Sequence, residues 1–265
     1  MRITAFCWGL LVLGLTAPAS CQALGADTEP TRETIVPVFS LEGPILETPT
    51  ADDFPFSSSG GESLKDLVAR MKKARDDKNV KAIVLLLGNA SPALAHVEEL
   101  RRIMEQVRNA GKAIWAHADS LSTGRYALLA GASRLSVVPT GEVALMGLRS
   151  QTPYLRGLLD LLGVKPDFST CGAYKSAAEI FTRKGPSPEA EAMENWVLDS
   201  LYQTCVELIA SGRRVPAEKV RHWIDNAPYS AEQAKQLGII DAVEQRQDFL
   251  AALKANCGGS VRLDR

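Results

Sequence analysis

Lys175 sits in the run CGAYKSAAEIFTRK (Cys171–Lys184), between Tyr174 and three small residues, Ser176, Ala177 and Ala178. The run turns apolar at Ile180 and Phe181, and the first acid after the lysine is Glu179. A lysine amine accepts a proton only when it is itself neutral. Removing the ammonium from water disfavours the charged form and lowers a buried lysine's pKa by up to about 3–5 units. Small and aromatic neighbours without an adjacent acid suit that shift, which makes the segment a candidate for general-base chemistry. The competing reading is an ordinary solvated or ion-paired surface lysine, and residue types alone leave it open.

GAYKSAAEIFTRK followed by GPSPE resembles the lysine segment of the signal peptide peptidase A family, serine peptidases that use a Ser/Lys dyad. ELIASGRRVPAEKV (207–220) resembles the family's long helix, and YSAEQAKQLGIIDAV (229–243) its closing helix and strand. The likeness covers most of residues 35–245. It implies a Clp/crotonase-like ββα superhelix, a peptide substrate and Lys175 as the dyad base. Active members carry Ser-Gly-Gly-Tyr at the start of a helix. The matching stretch is Ser122-Thr123-Gly124-Arg125-Tyr126, with Thr123 in the serine's place, 52 residues before the lysine (175 − 123). A threonine hydroxyl can attack a carbonyl, although its methyl group crowds the approach. The alternative for Thr123 is a helix N-cap. Active members also carry Ser-Pro-Gly-Gly, where glycine lets backbone N–H groups turn toward the oxyanion. Here Ser91-Pro92 is followed by Ala93 and Leu94. The oxyanion and substrate-binding residues implied by the resemblance are therefore Ala93, Leu94 and Gly124.

In two-domain members the N-terminal domain keeps the lysine, and the serine comes from the C-terminal domain of a neighbour. This chain resembles such an N-terminal domain. The expected function is an envelope peptidase-family protein that contributes Lys175 to hydrolysis of apolar, signal-like peptides. Thr123 or a partner's serine would be the nucleophile, within a homo-oligomer or a hetero-oligomer with a serine-bearing homologue. The alternative is a catalytically inactive peptide-binding or assembly subunit. An acyl-CoA enzyme on the same general fold is disfavoured by the N-terminus, which points to export.

That N-terminus begins Met1-Arg2, runs apolar from Ile3 to Leu15, and offers small-x-small cleavage sites at Ala17-Pro18-Ala19 and near Ala26. This is the layout of a secretory signal peptide. The run is shorter than the roughly 20 apolar residues of a spanning helix, and Cys21 leaves a lipid anchor open. The expected location is the periplasm or the outer face of the cytoplasmic membrane, peripheral to the bilayer. The net charge of −1 and the absence of a dense Lys/Arg block give nucleic-acid binding no support. His96, His117 and His222 are scattered, and Cys171, Cys205 and Cys257 suggest no disulfide framework. No metal and no cofactor is expected.

The elements that must position these residues alternate. Ile35–Leu41 predicts a strand, and Ser63 opens an amphipathic helix with Leu64, Leu67, Val68 and Met71 on one face. AIVLLL within Lys81–Leu87 fits a strand covered on both faces of a parallel sheet. A second helix carries Val97, Leu100, Met104 and Val107 and ends at Gly111. Further strands are expected at Ala113–Ala116, Arg134–Val138 and Glu142–Met146, an extended stretch at Pro166–Ser169, and helices at Gly124–Ala132 and Pro153–Leu162. A long helix over Pro188–Ala210 should bury Met193, Trp196, Val197, Leu201 and Leu208. Pro216 suits a first helical turn, and Ser230 with Gln233 a capping box. Strands alternating with helices predict a single α/β domain with a mainly parallel sheet. The expected division is a signal peptide (1–26), N-terminal strand and loops (27–62), a peptidase-like α/β domain (63–245), and a C-terminal helix and tail (246–265).

Overall fold

All six side chains of β2 (Ala82–Leu87, AIVLLL) are buried. A strand with two dry faces needs cover on both sides, and the rest of the fold supplies it. The computed structural model describes residues 34–47, 63–258 and 261–264. The expected signal peptide with Cys21 lies outside these, as do most of the residues expected to form loops at 27–34 and 47–62.

Six strands run parallel in one sheet. They are β1 (Thr34–Leu41), β2, β3 (Ala113–Ala118), β5 (Arg134–Val137), β8 (Ala242–Val243) and β9 (Val261–Asp264), in the order β8-β5-β3-β2-β1-β9. β4 (Leu121–Ser122), β6 (Glu142–Ala144) and β7 (Tyr229–Ser230) form a second, small sheet in the order β4-β6-β7. A strand of the large sheet followed by one of the small sheet and then a helix recurs along the chain. The expected mainly parallel α/β architecture is therefore observed.

One face of the large sheet carries Phe39, Leu41, Ile83, Leu85, Leu87, Ile114 and Ala116. It packs on α1 (Leu64–Asp76), α2 (Leu94–Asn109) and α3 (Thr123–Leu129), with α6 (Pro188–Arg213) and α7 (Ala217–Asp225) in the same core. The opposite face, Val36, Val38, Val84, Leu86 and Trp115, is covered by Phe249, Leu253 and Cys257 of α9 (Arg246–Cys257). Local signals place the helix ends. The Ser63 hydroxyl accepts from Asp66 N at 3.4 Å, and Gly111 takes φ +79° just past α2. Ser230 and Gln233 form a reciprocal capping box on α8 (Ala231–Gln236). The 246–265 tail is more than a helix, since β9 joins the sheet beside β1.

Pro166–Ser169, expected to be extended, lies outside regular secondary structure after α4 (Arg156–Leu161). One expectation is corrected. The long helix forms, but Met193, Trp196, Val197 and Leu201 are 40%, 72%, 43% and 39% exposed. The apolar stripe of α6 is present along its length. Only its C-terminal half, with Cys205, Val206 and Ile209, meets a core.

The Ala-Lys-x-Leu-Gly-x-x-Asp ending has a structural job. Asp241 accepts from Arg213 Nη1 and Nη2 at 2.9 and 2.8 Å and from Leu135 N at 2.8 Å. It ties the C-terminal end of α6 to β5. Burial alone would push the Asp241 carboxyl up, but the Arg213 guanidinium and the Leu135 N–H outweigh it and hold the pKa below the usual carboxylate range. A depressed folded pKa stabilises the fold above the unfolded value of about 3.9 and loses that contribution as pH falls through the folded one. We expect Asp241→Asn to destabilise the protein at pH 7 by about 1–3 kcal/mol, the range for hydrogen bonds to charged groups. The gap should begin to narrow as pH falls below about 4 and be smaller at pH 3.5 than at pH 7. Chemical denaturation of both proteins at pH 7 and pH 3.5 measures it; a gap independent of pH would refute the assignment.

Candidate active site

β2 and β3 deliver the two candidate segments at their carboxyl ends, the place where parallel α/β sheets usually hold ligands. β2 leads through Gly88 to Ser91 and the start of α2. β3 leads through β4 to α3.

Ala93 is the N-cap of α2, with φ −64° and ψ 154°. That is ordinary extended backbone which any residue adopts. Ala93 gives α2 no side-chain capping bond. Leu94 is the first helical residue and leans on the main core. Gly124 has open space where a Cβ would stand, so packing does not require glycine there.

Ser122, not Thr123, is the N-cap of α3, and it makes no side-chain capping bond. Ser122 is exposed and Thr123 is 8% exposed, as expected for adjacent residues whose side chains diverge. The Thr123 hydroxyl donates to Met146 O. That bond ties the start of α3 to the end of the small sheet and commits the only proton the hydroxyl carries. Tyr126 of the same motif is fully buried and donates to Ile239 O at 2.7 Å. At the other end of α3, Arg101 is wedged where a Cβ on Gly131 or Gly212 would stand 2.4 Å from its Nη1. Burial, with help from Arg108, lowers the Arg101 pKa to about 10. The helix that begins at Thr123 is thus fixed at both ends.

Lys175 is placed differently. It follows a turn in which Gly172 takes φ +95° and Lys175 N donates to Gly172 O at 3.2 Å. The side chain is exposed and makes no hydrogen bond or ion pair among the described residues. It lines an open, mainly apolar cleft of about 420 Å³ with Phe168, Cys171, Ala177 and Ala178. Cys171, a free and exposed thiol, shares the cleft, although sequence reasoning passed it over as one of three unpaired cysteines.

This cleft belongs to an arm with no core. No residue from Met146 to Pro186 is buried. The arm contains α4 and α5 (Glu179–Thr182). It is braced by Leu155 N to Ile180 O at 2.7 Å, by Phe168 stacked on Phe181 at 5.7 Å, and by Glu179 accepting from Ser187 N at 2.9 Å. Leu158, Leu161, Leu162 and Tyr174 are 54%, 87%, 66% and 65% exposed. No hydrogen bond joins Lys175 to Thr123, and among the described residues nothing builds the dry surroundings a lysine base needs. Among the described residues, no cluster of His, Cys, Asp or Glu could hold a metal ion.

Comparison with known proteins fits this arrangement. The description of peptidase family S49 matches residues 106–258, which contain α3, the arm and the closing helix. The chain is 26% identical over 227 residues to the chloroplastic serine protease SPPA of Arabidopsis thaliana, covering 86% of this chain and 33% of that one. It is 30% identical over 207 residues to Protease 4 of Salmonella typhi, covering 75% and 34%. With Protease 4 of Haemophilus influenzae the identity is 31% over 206 residues, covering 73% and 33%. The chain therefore spans about a third of the length of these relatives. The match takes in Thr123, Lys175, the wedged helix α3 and the Asp241 tie, and the chain belongs to peptidase family S49.

Proposed function

We propose that this chain supplies Lys175 as the general base of a Ser/Lys-type peptidase site completed by another chain, acting on apolar peptides. The observation that carries this reading is the arm without a core. A 41-residue segment (186 − 146 + 1) with no buried residue and many exposed apolar side chains is a surface awaiting a partner. Docking of that partner against the arm would take Lys175 out of water, which favours its neutral, proton-accepting form. The mechanism then needs a hydroxyl from the partner to attack the peptide carbonyl while Lys175 takes its proton and later returns it to the leaving amine. Backbone N–H groups would stabilise the oxyanion. Thr123 is poorly set for the nucleophile's role, because its hydroxyl is buried and donates to Met146 O.

The second reading is a catalytically inactive member that binds peptides or assembles with an active homologue. It is favoured by the same Thr123 bond and by Ala93 and Leu94 in place of glycines. Both readings place the chain outside the cytoplasm, on the strength of its first residues. No helix among the described residues is long and apolar enough to cross a membrane.

Two outcomes test the proposal. Lys175→Ala and Lys175→Arg should each abolish turnover of a fluorogenic apolar peptide by the chain mixed with a serine-bearing homologue. Arginine stays protonated and cannot serve as the base. Because Lys175 is exposed and unpaired, neither change should move the thermal midpoint. Turnover that survives both changes would exclude Lys175 as the base.

The isolated chain should cleave very slowly. Thr123→Ser alone should restore little, since losing one oxyanion donor costs about 10²–10³ in rate. Adding Ala93→Gly and Leu94→Gly should restore more, whereas the inactive-subunit reading expects no gain from all three. Thr123→Val, which strands Met146 O, should cost about 1–3 kcal/mol of stability. Robust cleavage by the unmodified chain alone, lost on Thr123→Ala, would overturn the assignment.

A further inference from the structure

On the face of the sheet away from the candidate site, His117 of β3 is 3% exposed. Its ring stacks on Phe249 of α9 with centroids 5.1 Å apart and planes 26° apart. Its Nδ1 lies 2.8 Å from the Ser136 hydroxyl on β5, and its Nε2 is buried with no hydrogen-bond partner among the described residues. The proton positions follow from the neighbours. Ser136 has one hydroxyl proton, and Ala116 O, 3.4 Å away, is placed to accept it. With the Ser136 proton on Ala116 O, the histidine is the donor to Ser136 and carries its hydrogen on Nδ1. Nε2 is then a bare lone pair beneath α9. A second proton would create a cation whose new N–H meets no acceptor, in a site closed by a phenyl ring.

We propose that His117 is an acid-sensitive latch, and that protonation of Nε2 undocks α9 and frees β9 from the edge of β1. Four charged groups face the ring. Asp119, just beyond β3, and Glu244, before α9, would favour the cation. Arg134 of β5 and Arg246 of α9 oppose it. Glu244 is already engaged by Arg134 at 2.5 and 2.9 Å, which blunts its help. Burial is the largest influence, and it sets the balance against the cation and depresses the His117 pKa.

The sign follows from linkage. A histidine whose folded pKa lies below the unfolded value of about 6.5 leaves docking intact above that pH. Docking weakens as pH falls from there toward the folded pKa. Phe249 and Leu253 anchor α9 on the sheet, and α9 leads directly into β9, so the helix and the strand should release together. The sheet's other face, which holds the candidate site's helices, keeps its own core.

Hydrogen-exchange protection factors of the full chain between pH 7.5 and 5.0 test this. The opening constant of amides in α9 and β9 should rise by up to about tenfold per pH unit below 6.5. Amides of β2 and β3 should stay protected. His117→Gln, which keeps a donor but does not titrate, should flatten the dependence. Because that variant could fold poorly, the imidazole of the unmodified protein is also followed by NMR, and it should titrate below 6.5. Three results would each overturn the latch: protection of α9 and β9 that ignores pH, the same pH dependence in His117→Gln, or a His117 ring that titrates at or above 6.5.

Discussion

Because β2 has no face that can meet water, the sheet needs a layer on each side, and the two layers divide the molecule's work. The helices α1, α2 and α3 close one side, and α9 closes the other. Parallel pairing of β2 and β3 sends the chain out of both strands at the same end of the sheet. The Ser91–Leu94 and Ser122–Tyr126 segments therefore emerge side by side, although they are far apart in sequence.

Much of this was legible in the residues. The AIVLLL run announced a strand buried on both faces, Ser63 and Ser230 announced helix starts, and Gly111 announced an end. These signals are local, and local rules govern them. Thr123 shows the limit of such rules. An expected cap fell one residue later than the observed one, and that shift separates a solvent-facing hydroxyl from a buried one. Helix ends read from sequence are uncertain by a residue or two, and at this corner one residue decides what the hydroxyl can do.

The larger miss was in α6, and its cause is instructive. Periodicity reports that a helix has an apolar stripe; it does not report what covers it. Met193, Trp196, Val197 and Leu201 keep the correct spacing, and only their burial was expected wrongly. The same holds for the arm that carries Lys175, where residue types suggested a dry setting that the described residues do not provide. In both places the residue types describe a surface without describing what covers it.

The first and last strands of the described chain lie side by side, with Thr34 opposite Val261. Their pairing must close a loop that contains nearly all of the fold, and non-local closure of this kind slows folding. Until β9 arrives, β1 presents a row of unpaired N–H and C=O groups along the sheet's border. A chain in which β9 has not yet paired therefore carries an adhesive margin. Chaperone dependence and aggregation in a recombinant host should be governed by that border rather than by the stability of the finished domain.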